Sequence, residues 1–501
     1  MSAIVDALKN ARQAQGQQDV PSVEQASIAT RKNPASSALP DGLNPIPAAV
    51  ATLRNEGGSE NTISDKVLGH FHDYFMALSG GTAFVYRKAL DPDTNRKCLI
   101  RMTKAAFSDL HTDTIDVATR AVDESGKPIM KCMSMATLWL RLPEKPTYPL
   151  GITCDPTRTA PSGYFNCYQG FGVTAIEGTV APTIDLMLSV LCAESRENFE
   201  YLIRWVAWVI QNPGAPAEVA VVLLGGRGIG KSTIGRLLVM LFGPHGMQIT
   251  NMRHLIGNFN AHLQDTLFLF ADEALSPQDR QANATMKGLI TEPYLTVEQK
   301  GVDAYQVLNR LAIMIATNDE RAIDAGTDER RFFVLSVSAK RQGNREYWAQ
   351  YNAHLNNGGR EAFLYYLLNF DLTGFDIRDV PQTDGLADQK LQSLDPLSAF
   401  LADVLESGHF PGGYGEWKES IPKRMFSSAV TDYCREHPRH RCNIPSERKI
   451  GQDLPKHIGV VEKRPSLGAR DRLWVLPPLA EARAIFSAHN RLGADFWGDN
   501  E

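Results

Sequence analysis

Between Ala217 and Gly243 the chain reads AEVAVVLLGGRGIGKSTIGRLLVMLFG, and its centre has the spacing Gly225-x4-Gly230-Lys231-Ser232. That spacing suits the capture of phosphate. Glycines at 225, 226, 228 and 230 let the backbone curl so that its N–H groups face an anion, and the helix predicted to follow adds its positive end. Lys231 is placed to reach the outer phosphate oxygens of ATP. The Ser232 hydroxyl, with Thr233 beside it, is placed to ligate Mg²⁺. The apolar run VAVVLL before the glycines predicts the strand that such a loop must leave.

A phosphate cradle does not hydrolyse anything alone. The run DTLFLFADEA ends in Asp272-Glu273. A carboxylate at the C-terminal end of a strand beside the phosphate-loop strand can hold Mg²⁺ through water, and Glu273 can then act as general base toward a second water. A kinase of small molecules needs no water-activating base, which disfavours that class. RLAIMIATND leaves Asn318 at the tip of a third strand, where its amide can orient the water. Arg330-Arg331 stand immediately before the strand-like FFVLSVS, placed to project from a subunit edge. Arginine stabilises charge on a transferred phosphoryl group, often from a neighbouring subunit; the residues leave open which of the two does so. This order predicts an α/β fold with an AAA+-type P-loop core, a three-layer α/β/α arrangement.

Between Asp272 and Asn318, YLTVEQ and AYQVL flank KGVD, which predicts a β-hairpin with Lys300-Gly301 at its tip. On a ring, a lysine there would face the central pore and meet nucleic-acid phosphate. Taken in order, GGRGIGKST, LFLFADEA, KGLITEPYLTVEQKG, IMIATN and DERRFFVL resemble the superfamily 3 helicases, in particular the primase-associated helicases of bacteriophages and mobile elements. WLRLPEKPTYPLGITCDP, FNCYQGF, RWVAWVIQNP and GNFNAH are similar to that phage group too, so the resemblance covers roughly residues 130–340. It implies a hexameric ring on single-stranded or forked DNA, ATP hydrolysis between subunits, 3′-to-5′ translocation and Lys300 as a pore contact. It also implies Lys231 and Ser232 as the P-loop, Asp272 and Glu273 as the Mg²⁺ and water carboxylates, Asn318 as the polar sensor, and Arg330 or Arg331 as the finger. Many relatives are fused to a primase–polymerase domain. The N-terminal third here offers only DPD (91–93) and DLHTDTID (109–116), which read as turn or surface residues, so a separate primase is the expected partner.

Around these residues the elements follow from composition and period. Residues 1–62 are rich in Gln, Ala, Ser, Pro and Gly and read as a disordered tail. Residues 63–180 read as a small α+β domain, with TAFVYRKALDPDTNRKCLIRM as a hairpin turning at DPDTN and MSMATLWLRLPEKPTYPLGITCDP as further strand-like pieces. Residues 181–215 carry apolar positions at helical spacing, 216–375 alternate strand and helix patterns as the ATPase domain, and a polar linker runs near 376–392. Seven scattered cysteines favour a reducing compartment, and Cys154 and Cys167 read as core thiols with no nearby partner. The N-terminus has no signal-peptide pattern, and YLIRWVAWVI is broken by Arg204 and too short to span a bilayer. The expectation is a soluble protein of the host bacterial cytoplasm, away from membranes.

The net charge of −5 excludes a uniformly basic nucleic-acid coat but not a local basic surface. Residues 393–490 supply one. Three helix-like runs are followed by two strand-like runs around a basic loop, the pattern of a winged helix. Ten Lys or Arg face five acidic residues between Arg435 and Arg472, with Lys449, Lys463 and Arg464 the candidate DNA contacts. Cys434, His437, His440 and Cys442 stand close enough to raise the question of zinc, although structural sites usually pair two knuckles across a longer loop. The leading expectation is an ATP-driven replicative DNA helicase. The alternative is an origin-binding or loading protein that uses ATP only to assemble.

Overall fold

The computed structural model describes residues 63–91, 97–251, 260–273, 280–299, 302–319, 323, 329–411, 413–437, 440–441, 443–464, 472–490, 492 and 497. The expected tail, the DPDTN turn from residue 92 onward, the Lys300-Gly301 tip and Cys442 lie outside these residues. The chain divides into two units, residues 1–153 with 159–166, and residues 154–158 with 167–501.

In the first unit, α1 (Ile63–His70) leads into β1 (Tyr74–Ser79) and β2 (Thr82–Leu90). These pair antiparallel around Gly80-Gly81, both at positive φ, as a two-residue hairpin turn requires. Then follow β3 (Lys97–Met102), α2 (Lys104–Leu110), β4 (Thr114–Val122), β5 (Pro128–Ser134), α3 (Met135–Arg141), β6 (Thr147–Tyr148), β7 (Gly151–Thr153) and β8 (Tyr164–Asn166). A four-stranded sheet runs β3-β2-β1-β6, and Phe71, Phe107 and Trp139 fill the core beneath it. The segment MATLWLR, expected as a strand, is the helix α3. Its alternation of apolar residues fits either period, and the choice falls to Ser134, which caps the helix by accepting the Thr137 N–H, and to Ala136 and Trp139, which bury one face.

The second unit opens with α4 (Ala181–Asp185), which runs into a π-helical turn at Leu186–Leu191, and α5 (Arg196–Gln211). Next come β9 (Ala220–Leu224), α6 (Lys231–Phe242), β10 (Gly246–Ile249), β11 (Phe268–Asp272) and α7 (Arg280–Thr291). The hairpin strands β12 (Tyr294–Gln299) and β13 (Val302–Leu308) precede β14 (Ala312–Thr317) and β15 (Phe332–Ser336). The main sheet is wholly parallel, in the order β10-β11-β14-β9-β15. Its strands are apolar on both faces, as a parallel sheet with helices on either side demands. Val221 and Leu223 of β9 pack with α4, α5 and α6, whereas Ala220, Val222 and Leu224 pack with α7 and a later helix. The hairpin pairs Gln299 with Val302, as its sequence predicts, and its base is held by buried Asn309. The Asn309 amide donates to the Leu289 and Glu292 carbonyls, both at 2.8 Å, and its Oδ1 accepts the Leu311 N–H at 3.0 Å.

Beyond the sheet lie α8 (Arg345–His354), α9 (Arg360–Leu368) and α10 (Asp384–Gln392). The expected polar linker is in part this last helix. Thr383 caps it and donates to Val334 O at 2.6 Å, and buried Gln389 accepts the Ile323 N–H at 3.1 Å, so α10 covers the outer strand β15. The remainder is α11 (Pro396–Ser407), β16 (His409–Phe410), β17 (Gly415–Glu416), β18 (Ser420–Pro422), α12 (Lys423–Glu436), α13 (Glu447–Ile458), β19 (Val461–Lys463), β20 (Leu473–Val475) and α14 (Leu479–Asn490). Strands β18, β20 and β19 form a three-stranded antiparallel sheet. Among the described residues no helix is long and apolar enough to cross a membrane.

Candidate nucleotide site

Five polar side chains meet at the C-terminal edge of the parallel sheet. The loop after β9 turns on Gly225, Gly228 and Gly230, with φ of +142°, +74° and +103°. Those are conformations that a Cβ makes costly. A methyl group on Gly230 would also lie 2.4 Å from the Trp348 ring. Gly226 and Gly228 have open space where a Cβ would stand. Among the described residues, the main-chain N–H groups of 226 to 230 meet no backbone acceptor. This is the unpaired donor set that an anion needs.

Lys231, the first residue of α6, turns its ammonium back into the loop. It donates to Gly225 O at 2.5 Å, Gly226 O at 2.6 Å and Asn318 Oδ1 at 2.7 Å. Burial pulls this lysine below its ordinary range, with Glu273 and then Asp272 opposing the shift. Ser232 Oγ donates to Asp272 Oδ1 at 2.9 Å. Asn318 donates its amide to Glu273 Oε1, so one side chain bridges the cradle lysine and the second carboxylate. Thr233 stands one residue further along α6, its N–H on Gly230 O at 3.1 Å. The sequence-predicted residues Lys231, Ser232, Asp272, Glu273 and Asn318 are therefore brought together.

The strand arrangement differs from expectation in one respect. Asp272 ends β11, which is not beside the phosphate-loop strand β9; β14 lies between them. Met314 of β14 pairs with Val221 on one side and Phe270 on the other. This interposition puts Asn318, which follows β14, between Lys231 and Glu273.

Sequence reasoning missed Gln248, whose amide donates to Asp272 Oδ2 at 3.1 Å, and Arg236, 3.6 Å from the same oxygen. It also missed Trp348 against Gly230. The only signal for Gln248 is a polar side chain near the end of a short strand.

Arg330 and Arg331 lie at the opposite end of the sheet. They precede β15, whose Phe332 pairs with Ala220 at the start of β9, whereas the loop leaves β9 after Leu224. Five residues of strand separate the two ends, about 16 Å at 3.3 Å per residue. The two arginines also differ from each other. Arg331 is tied to buried Glu329 through its N–H at 3.1 Å and its guanidinium at 3.4 Å, and Lys287 approaches the other Glu329 oxygen at 3.2 Å. Arg330 is exposed and makes no ion pair among the described residues.

In the C-terminal part, Lys449 is exposed on the first turn of α13, and Lys463 and Arg464 are exposed at the end of β19. Lys423 and Arg472 are engaged elsewhere, on Glu462 at 2.6 and 2.7 Å, and hold its carboxyl below the usual range. Cys434 is buried, and the His437 ring is hydrogen-bonded to Tyr433 O at 2.8 Å. Among the described residues no group of three His, Cys, Asp or Glu is arranged for a metal ion. Cys154 and Cys167, expected to lack a nearby partner, stand beside each other, and Cys154 Sγ lies 3.7 Å from His245 Nδ1. They follow directly on the last register pair of β7 and β8, Thr153 with Asn166, a proximity that sequence separation conceals.

A protein family of unknown function, DUF5906, matches residues 223–331, which span the loop, both carboxylates, Asn318 and the arginine pair. The DNA primase-polymerase of Nitratiruptor phage NrS-1 is 24% identical over 188 residues, 36% of this chain and 26% of that protein. The chain thus aligns with about a quarter of the length of that curated relative. Two solved apo structures of the NrS-1 C-terminal region cover 81% of this chain and 96% of their own, with TM-scores of 0.54 and 0.56 at 17% and 16% identity. At such identities the likeness is one of fold, a mixed α/β architecture.

Proposed function

We propose that this chain is an ATP-hydrolysing DNA helicase serving the replication of a bacteriophage or mobile element, with a superfamily 3, AAA+-type core. The observation that carries the reading is the continuous polar network Lys231–Asn318–Glu273, with Ser232–Asp272 beside it, assembled from the ends of three neighbouring strands. Helices on both faces of the parallel sheet support the three-layer core. The similarity to a phage primase-polymerase supports the replication setting.

The residues present fit ATP and Mg²⁺. The free N–H groups of the loop and the Lys231 ammonium would hold the phosphates, and Ser232 with Asp272 would hold the cation. Bound there, Mg²⁺ neutralises charge on the phosphates. Glu273 takes the proton of the attacking water, and the Asn318 amide holds that carboxylate in place. Arg330, remote from its own loop and without an ion pair among the described residues, is the better of the two arginines to reach a neighbouring subunit's nucleotide. That implies a homo-oligomeric ring, a hexamer translocating 3′-to-5′ by the resemblance described above. The order α11, β18, α12, α13, β19, β20 supports a winged-helix-like DNA-binding domain with Lys449, Lys463 and Arg464 on DNA, and primer synthesis is assigned to a separate primase.

The test is steady-state ATPase activity with and without single-stranded DNA, for the wild type and Lys300→Ala. DNA is expected to stimulate hydrolysis several-fold, and the substitution to remove only that stimulation. Hydrolysis indifferent to DNA in both proteins would discard the translocase and leave the ATP-assembled origin binder.

A further inference from the structure

Where β7 and β8 end, the chain places a group of side chains that nucleotide chemistry does not use. Thr153 faces Asn166 in the last parallel pair, so Cys154 and Cys167 emerge side by side. Paired strands run about 4.8 Å apart. This lies within the separation of about 4.4–6.8 Å over which two cysteines can be bridged without moving the backbone. Both thiols are free. His245, in the turn after α6, completes the group. Its Nε2 accepts the Gln169 N–H at 3.0 Å, which puts the ring proton on Nδ1. Nδ1 lies 2.7 Å from Asp265 O and 3.7 Å from Cys154 Sγ.

Nε2 is engaged by main chain and the Nδ1 proton is shared between Asp265 O and Cys154 Sγ, so His245 acts here as a donor and not as a metal ligand. Cys154 is faced by the imidazole N–H and stands beside the Cys167 thiol. The neighbouring Cys167 first, against burial, and then His245 pull the Cys154 thiol below its ordinary range, while Cys154 and burial push Cys167 up. Asp265 opposes the thiolate: its carbonyl accepts the Cys154 S–H at 3.9 Å, its carboxylate charge disfavours a second anion, and burial raises its own carboxyl. Cys154 is only 1% exposed and Cys167 partly exposed, which admits a small oxidant and excludes a bulky one.

We infer that Cys154 and Cys167 form a redox-active pair that closes to an intramolecular disulfide, with a hydroperoxide as oxidant. The Cys154 thiolate attacks a peroxide oxygen, so an S–O bond forms and the O–O bond breaks. The departing hydroxide takes the Cys167 proton and leaves as water. The Cys167 thiolate then attacks Cys154 Sγ, forming S–S and expelling hydroxide, which is protonated by solvent. Two thiols are oxidised by two electrons, and one hydrogen peroxide becomes two waters. The bridge shortens the path from residue 154 to the strap at 167–172, whose Gly172 N–H is bonded to Leu241 O at 2.7 Å at the end of α6.

The experiment uses the reduced full chain, exposed to hydrogen peroxide or to glutathione disulfide, alkylated in denaturant and digested with trypsin. Arg158 lies between the two cysteines, so a bridge joins peptides 142–158 and 159–196 that otherwise separate. With peroxide, that joined species is expected two hydrogens lighter than the sum, reversed by dithiothreitol and retained in Cys192→Ser. It should form at least tenfold faster than exposed Cys98 and Cys132 are oxidised, with a rate half-maximal at a lower pH than theirs, and only slowly with glutathione disulfide. Cys154 and Cys167 still alkylated after Cys98 and Cys132 have reacted, or a bridge through Cys192, would overturn the inference.

Discussion

Glu273 holds its backbone at φ +56°, the left-handed region that costs a residue with a Cβ on the order of 1–2 kcal/mol. Its N–H donates to Ala316 O of β14 at 2.8 Å, and its carboxylate meets the Asn318 amide, so two bonds to one neighbouring strand offset the strain. A carboxylate oriented by that amide suits a general base. Glu273→Gln keeps shape and hydrogen bonding but cannot take a proton. It should lower kcat by roughly 10²–10⁴-fold while leaving nucleotide affinity close to wild type, read from ATPase rates and a fluorescent-nucleotide titration. A parallel loss of affinity would make Glu273 a binding residue instead. At this scale the candidate site was legible where its chemistry is local in the chain, in Lys231-Ser232 and in Asp272-Glu273. Gln248 and Trp348 were not, because each meets its partner across tens of residues or more, through sheet register and helix packing that no motif encodes.

The helix that begins with Lys231 lies on β11 through a glycine. A Cβ on Gly235 would come 2.3–2.6 Å from three atoms of the Phe270 ring, deep in the core. Gly235→Ala sets two effects against each other. Alanine favours a helix over glycine by about 1 kcal/mol. Overpacking a close-packed core costs roughly 1–3 kcal/mol. The clash is with a buried ring that has no room to yield, so overpacking wins. The variant should melt at lower temperature and lose nucleotide affinity, because α6 and β11 carry Lys231 and Asp272. A raised melting temperature would show that Phe270 gives way. Periodicity identified these elements but not their neighbours: β14 reads as an apolar run wherever it sits, and only the sheet order reveals it between β9 and β11. The short α10 escaped notice because its cap and its buried Gln389 and Lys390 look polar on paper.

For the whole molecule, the distance between the loop and Arg330 decides the most. One chain cannot bring its own Arg330 to its own phosphates without dismantling β15, an outer strand of the sheet. Arg330→Ala should therefore abolish hydrolysis while sparing nucleotide binding. Mixing it with Glu273→Gln should restore part of the activity, since each supplies the group the other lacks at a shared boundary. Arg331→Ala should instead lower stability through Glu329, and a mixture with no recovery would place the arginine in its own site. Strand β14 has a role of its own at this scale. Its far tip leads to Asn318 between Lys231 and Glu273, and its near end follows the Asn309 knot at the root of the hairpin. Six extended residues, three of them (Met314 to Ala316) paired with strands on both sides, are stiff along their length. β14 is then a strut, one continuous strand that fixes the spacing between the phosphate end and the root of the hairpin.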